Sequence, residues 1–358
     1  MSEIKVRVAL IFGGHSGEHE VSCKSAASIM THLDRDRYDV LPIKIGLDRR
    51  WRVVSDPLAP TDEAEGAELS VRASMAEGLR LLDGVDVVFP ALHGPFGEDG
   101  TIQGMLELAG IPYVGNGVLA SASAMDKDCT KTLLAAAGLR VADAVVLQPG
   151  ESEVDAAARE RLGLPVFVKP ARAGSSLGVS KVDRWEELPA AIAEARKTDQ
   201  KVLVEAAAHG REVDIGVLEL SDGTLKASPS LEIRLPEGGP AFFDFHAKYQ
   251  AASTIFDIPA QLDAATTARL EAAALRAFQV LGCSGLLRVD CFVDADGEPT
   301  LNEVNTFPGF TAASQYPQMW QQAGLSYPEL LHTLIQTALF RADNAPRPEL
   351  YGTQLVRS

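Results

Sequence analysis

The sequence predicts an α/β protein: a doubly wound parallel sheet first, then two α+β units. Three observations carry that expectation. Short apolar runs alternate with helical patterns through the first third of the chain. The composition shifts at Lys127. The last third holds a polar-striped hairpin, GLLRVDCFVDADGEPTLNEVNTFPG, behind a long alanine-rich helix.

Val6 to Phe12 is an apolar run ending at Gly13-Gly14, which reads as a buried strand entering a tight turn. A helical pattern covers about Val21 to Leu33, and Tyr38 to Ile45 reads as the next strand. Val85 to Pro90 (VDVVFP) is another buried strand, leading into the glycine-rich turn LHGPFGEDG and a helix from about Ile102 to Ala109. Buried strands alternating with helices imply parallel order. The first boundary falls near Ala120 to Met125, giving a unit of residues 1–124. From Lys127 a compact unit (125–211) runs helix, strand, helix, strand (PVFVKPA), Gly-Ser loop, strand and helix to Val202–Glu205. The third unit (212–358) opens with strands and a Pro/Gly-rich stretch, LPEGGPAFFDFHAKYQ. A helix over Gln261 to Leu281, the hairpin and a C-terminal helix follow.

Bulk properties narrow the function. A chain of 358 residues exceeds what one core usually serves. A net charge of −16 disfavours nucleic acid or an anionic membrane as main partner. It leaves room for a lysine-lined nucleotide pocket. No apolar stretch reaches membrane-spanning length, and MSEIKVRVALIF lacks the apolar core and cleavage site of a signal peptide. Cys23, Cys129, Cys283 and Cys291 form no CxxC pair and read as reduced thiols. The expectation is a cytoplasmic protein. His15, His19 and His209 fit no metal-ligand spacing.

The hairpin is the most informative segment. Leu286 to Val293 and Pro299 to Asn305 read as strands around the turn signal Asp296-Gly297. With Ala295 to Glu298 as the loop, Asp290 lies opposite Glu303 and Arg288 opposite Asn305, so four polar groups share one patch. A slip of one residue would split them between faces. Two carboxylates about 4 Å apart repel by roughly 4 kcal/mol at an effective dielectric near 20. Arg288 can offset that repulsion, and so can a magnesium ion, which prefers such oxygen ligands when phosphates complete its shell. The alternative is a surface hairpin whose charges face water. The apolar neighbours Leu287, Val289 and Val304 count against it.

Lys169 ends the strand PVFVK, and Gly174-Ser175-Ser176-Leu177-Gly178 follows as a donor-rich loop able to wrap phosphate oxygens. It is not a Walker A sequence. Lys127 is a second candidate phosphate ligand. Glu205 closes the strand VLVE, where it could meet an adenine edge or ribose, as could Glu212. A nicotinamide-binding reading fails at GGHSGE, where position 15 is His and the GxGxxG spacing is missing.

Together these motifs resemble the ATP-grasp superfamily, and within it the D-alanine–D-alanine ligases, over nearly the whole chain. GGHSGEHEVS resembles the family's opening turn, which implies that Glu18 orients the first D-alanine and the loop serine. ALHGPFGEDG resembles its HG segment, with His93 facing substrate. VKPARAGSSLGVSKV resembles its phosphate loop, with Lys169, Ser175 and Ser176 on the nucleotide side. FFDFHAKY resembles its lid, which implies a γ-phosphate contact from Lys248 and a Ser175–Glu18–Tyr249 hydrogen-bond chain.

RVD and NEVN resemble the family's catalytic arginine (Arg288) and metal ligands (Asp290, Glu303, Asn305), with Asn302 and Glu303 also on the ATP side. PGFTAASQYP resembles the segment for the second D-alanine, with Gly309 in the oxyanion site and Ser314 on its carboxylate. Phe245 stands where many members carry tyrosine, and Gln315 replaces a residue that is often hydrophobic.

The resemblance implies a three-domain ATP-grasp fold, ATP as co-substrate, two Mg²⁺ ions (Mn²⁺ substituting) and a homodimer. It implies ligation of two D-alanines through a D-alanyl phosphate, for peptidoglycan precursors. Lys127, Lys169, Lys248 and the metal ions would screen the reacting anions, and a lid over about Pro236 to Ile255 would exclude water. Ligases that join D-lactate or D-serine are the nearest alternative. The D-lactate enzymes usually lack a Lys-Tyr pair like Lys248-Tyr249, which favours the dipeptide.

Overall fold

A computed structural model describes residues 5–59, 69–234 and 255–344 of the chain. Its first sheet is built on β1 (Val6–Gly13), wholly buried from Val8 to Phe12. β1 pairs in parallel with β2 (Tyr38–Ile45) on one side. β3 (Trp51–Val53) adds antiparallel beyond β2, and β4 (Val87–Ala91) pairs in parallel on the other side of β1. Alternate β1 side chains enter two cores. Val8, Leu10 and Phe12 share one with Ala26 and Ile29 of α1 (His19–His32). Ala9 and Ile11 share the other with Trp51, against which α2 (Val71–Leu81) packs, and with Met105 and Leu106 of α3 (Thr101–Ala109). Helices cover both faces, as continuous apolar strands require.

The middle of the chain starts with α4 (Val118–Met125) and α5 (Lys127–Ala136); the Asp126 carboxylate caps α5 by accepting from the Asp128 and Cys129 N–H groups. An antiparallel sheet follows, formed by β5 (Ala144–Leu147), β6 (Val166–Pro170), β7 (Ser180–Val182) and β8 (Val202–Ala206) in the order β5-β8-β6-β7. Its core includes Leu162, at the end of α6 (Ala156–Leu162), and Ala191, Ile192 and Ala195 of α7 (Leu188–Ala195).

The third sheet is antiparallel. It comprises β9 (Arg211–Glu219), β10 (Leu225–Ala227), β11 (Leu231–Arg234), β12 (Ile255–Asp257), β13 (Leu286–Val293) and β14 (Pro299–Asn305). Leu287, Val289 and Cys291 of β13 pack with α8 (Ala264–Val280), which Asp263 caps through the Thr266 N–H at 2.7 Å. The alternate β13 residues Arg288 and Asp290 face the other way, toward α9 (Gln315–Gln322). α10 (Tyr327–Asn344) closes the molecule against the first sheet, its Leu334 and Ile335 sharing a core with Phe89.

Two expectations need correction. The hairpin loop spans 294–298, one residue longer than expected, because Val293 pairs with Pro299. A β-bulge at Asn302 takes up the extra residue, so Asp290 still faces Glu303 and Arg288 still faces Asn305. A single C-terminal helix was expected after the hairpin, and the structure has two, α9 and α10. In addition, α4 packs through Ala120 and Ala124 into the core beneath the third sheet rather than into the first.

Candidate active site

Loops from all three sheets meet around a cavity of about 390 Å³. Ten of the residues singled out in the sequence line it: Glu18, His93, Lys127, Ser175, Arg288, Asn302, Glu303, Asn305, Gly309 and Ser314. Lys169 and Asp290 lie one hydrogen bond behind that wall, through Asn302 and Asn305 respectively. Ser176 is in the β6–β7 loop and Glu212 on β9, neither on the cavity wall. Lys248 and Tyr249, and nearly all of the proposed lid, lie outside the described residues.

One wall is the Glu18–Ser175 pair. Ser175, with φ of 52°, donates its hydroxyl to Glu18 Oε1 from across the β6–β7 loop. The Glu18 carboxylate fits there because Gly94 and Gly174 flank it. A Cβ on Gly94 would stand 2.2 Å from Oε2.

Behind this wall, His93 is buried and fully engaged. Its Nδ1 lies 3.1 Å from the Phe307 carbonyl, which can only accept, so Nδ1 carries the proton. Nε2 then accepts from Ser25 Oγ at 3.0 Å. Burial pulls the ring down to about 4, only partly opposed by the Phe307 hydrogen bond. His93 is therefore a neutral strut for the 307 turn and has no nitrogen left to act as a base.

The floor is Arg288. Its guanidinium makes two 2.7 Å bonds to the Asp290 carboxylate and a 3.0 Å bond to Gln315 Oε1. Gln315 Nε2 in turn donates to Asp214 Oδ2 at 2.9 Å. Burial alone would lower the Arg288 pKa, but the charges of Asp290 and Asp214 outweigh it and hold it above the usual arginine value. A fixed, desolvated cation of this kind suits a developing oxyanion. Gly309 lies beside Ser314 near the start of α9. The Ser314 hydroxyl accepts from the Thr311 N–H at 3.0 Å.

On the nucleotide side, Lys127 Nζ donates to the Ala173 carbonyl at 2.7 Å and lies 3.9 Å from Glu303 Oε2. Lys169 Nζ donates to Glu205 Oε1 at 2.7 Å and to Asn302 Oδ1 at 3.1 Å. In a regular ladder Asn302 and Glu303 would face opposite sides. The bulge lets both border the cavity.

Two family models match the chain, "D-ala D-ala ligase N-terminus" over residues 7–116 and "D-ala D-ala ligase C-terminus" over 133–336. The chain belongs to the D-alanine–D-alanine ligase family. A family relative from Nocardia farcinica is 54% identical over 94% of this chain and 98% of its own length. Another, from Rhodococcus opacus, is 50% identical over 95% and 99%. Among solved structures, the VanG D-Ala:D-Ser ligase from Enterococcus faecalis superimposes with a TM-score of 0.80 at 38% identity, covering 94% of this chain and all of that one. The D-alanine–D-alanine ligase from Bacillus anthracis complexed with ATP gives 0.76 at 29% identity, covering 96% and all of that chain. The fold is thus that of the ATP-grasp ligases, with an N-terminal doubly wound sheet.

The family's metal ions can be tested against the donors present. Glu303 and Asn305 border the cavity, and Asp290 lies behind, 3.0 Å from Asn305 Nδ2. Two carboxylates and an amide oxygen are the hard donors that magnesium takes, so these residues fit it. Among the described residues no three His, Cys, Asp or Glu side chains are gathered as a metal site. Phosphate oxygens would have to complete the shell.

Several residues of this ligase site escaped the sequence reading. Glu98 faces the cavity and ties two loops, accepting from Gly94 N–H at 2.8 Å and Phe307 N–H at 3.0 Å. Burial, then the nearby Glu18 charge, pushes it up to about 8. Its place in GPFGEDG was the available signal. Asn116 donates to the Leu286 and Thr306 carbonyls at 2.7 and 2.9 Å and accepts from Ser284 N–H at 2.8 Å, clamping the hairpin. Nothing local in GNGV marks it.

Proposed function

We propose that this chain joins two D-alanine molecules into D-alanyl-D-alanine, with ATP converted to ADP and phosphate, to supply peptidoglycan precursors. The observation that carries this reading is the buried Arg288. Its guanidinium is fixed by Asp290 and Gln315 at the floor of the cavity that Glu18 and Ser175 wall.

In this reading Glu18 holds the ammonium of the first D-alanine, and the Ser175 hydrogen bond keeps its carboxylate aimed. The D-alanine carboxylate attacks the γ-phosphorus, ADP leaves, and a D-alanyl phosphate forms. Lys127 and Lys169 screen the two anions as they approach. Asp290, Glu303 and Asn305 would hold magnesium, which neutralises phosphate charge when bound. The amine of the second D-alanine, its carboxylate held at Ser314, attacks the acyl carbon. Arg288 and the Gly309 N–H meet the oxyanion; as it collapses, the acyl C–O bond breaks and phosphate departs, taking up the proton that the attacking nitrogen releases. Lys248 and Tyr249 enter on sequence alone, as γ-phosphate contact and as partner to Ser175. Cytoplasmic residence and a homodimer belong to the same reading.

A coupled ADP-release assay across D-alanine, D-serine, D-lactate and L-alanine, with mass detection of products, tests the assignment. D-Alanine alone should support rapid turnover to the dipeptide. ADP release that requires D-lactate or D-serine as second substrate would replace it with the neighbouring specificity.

A further inference from the structure

Lys131 is a buried cation that neither the sequence reading nor the chemistry above uses. It lies on α5 one turn beyond Lys127, is 7% exposed, and is absent from the cavity wall. Its Nζ stands 2.9 Å from Glu205 Oε2. Glu205, 2% exposed, gives its other oxygen to Lys169 Nζ at 2.7 Å. Lys169 then donates to Asn302, which does line the cavity. Four segments therefore build one row, Lys131–Glu205–Lys169–Asn302.

The charges of this row decide its role. Lys169 and Glu205 alone would cancel. With Lys131 behind them, the trio keeps one net positive charge, and Lys169 is its outermost cation. We infer that Lys131 is a positioning residue for the nucleotide: it neutralises Glu205 from behind, so that Lys169 presents an uncancelled charge to phosphate. This rests on reading Lys169 as a phosphate ligand, as proposed above.

The Lys131 ammonium is held by the Glu205 carboxylate at 2.9 Å, and such a pair is in itself weak ground for stability, although removing one partner alone strands the other's charge. Replacing a buried ion pair by apolar groups is often neutral or stabilising. Burial pulls the Lys131 ammonium below the usual lysine range against the pull of Glu205. For Glu205, burial favours the neutral acid, but the two ammonium groups outweigh it and keep the carboxyl below its ordinary value.

The test compares wild type, Lys131→Met and Lys131→Arg. MgATP binding is measured calorimetrically without D-alanine, and folding is checked by thermal melting. Lys131→Met should weaken MgATP binding at least tenfold. Lys131→Arg, which keeps a cation behind Glu205, should bind within threefold of wild type. Unchanged binding in Lys131→Met, or Lys131→Arg as weak as Lys131→Met, would overturn the inference. If Lys131→Met does not fold, Lys131→Gln takes its place, with the same supporting and contradicting results. Wild-type protein that binds no MgATP would instead sink the functional reading, and this inference with it.

Discussion

Glu18 can reach the phosphate loop only because Gly94 and Gly174, which flank its carboxylate, lack side chains. Gly94 adds a second constraint, a φ of 72° that an L side chain adopts at a cost. Gly94→Ala should therefore push Glu18 aside. It is expected to raise the KM for D-alanine at least tenfold and to lower stability by about 1–2 kcal/mol. Steady-state kinetics with a melting curve checks this, and an unchanged KM would refute the role of Glu18. His93 carries a pH signature. Its folded pKa of about 4 lies below the ordinary 6.5, so as pH falls the unfolded chain takes up a proton first. The stability contributed by the neutral ring is complete above about pH 6.5 and is lost as pH falls toward 4, about 3 kcal/mol in all. His93→Gln should flatten that part of the pH–stability curve for the ligand-free protein. If wild type and variant lose the same unfolding free energy between pH 6.5 and 4.5 in urea titrations, the assignment is contradicted.

At the scale of elements, the β13–β14 hairpin shows what was legible and what was not. Its alternation of apolar and polar residues encodes which face Arg288, Asp290, Glu303 and Asn305 share, because a slip of one residue would bury the wrong set. The loop length was not encoded so sharply. Asp296-Gly297 suits a loop of four residues or of five, and the compensating bulge at Asn302 has no local signature. The bulge matters chemically, since it puts Asn302 beside Lys169 while Glu303 stays near Lys127. Glu303→Gln removes one carboxylate from the proposed magnesium donors, and with it the negative charge 3.9 Å from Lys127, at a side chain that is 27% exposed. Turnover should fall at least about a hundredfold with the melting midpoint nearly unchanged. Near-normal activity would remove Glu303 from the metal assignment.

For the whole molecule, the parallel first sheet and the helix–strand order were readable because each rests on local periodicity. How the units lock together was not, because it depends on single polar residues meeting across long sequence separations. Asn116 is the clearest case, joining the end of the first unit to Ser284, Leu286 and Thr306. Asn116→Ala should cost about 2–4 kcal/mol, since it strands buried backbone groups from both sides. A melting shift below one degree would show that the clamp is dispensable. Lys131 was missed for the same reason, and Gln315, noted in the sequence only as a departure, acquires its role from the distant Arg288 and Asp214. The central claim, that D-alanine is activated at its carboxylate before the amine attacks, has a direct isotopic test. With D-alanine labelled by ¹⁸O in its carboxyl group, the released phosphate should carry one ¹⁸O atom per dipeptide formed. Unlabelled phosphate alongside dipeptide would contradict the account.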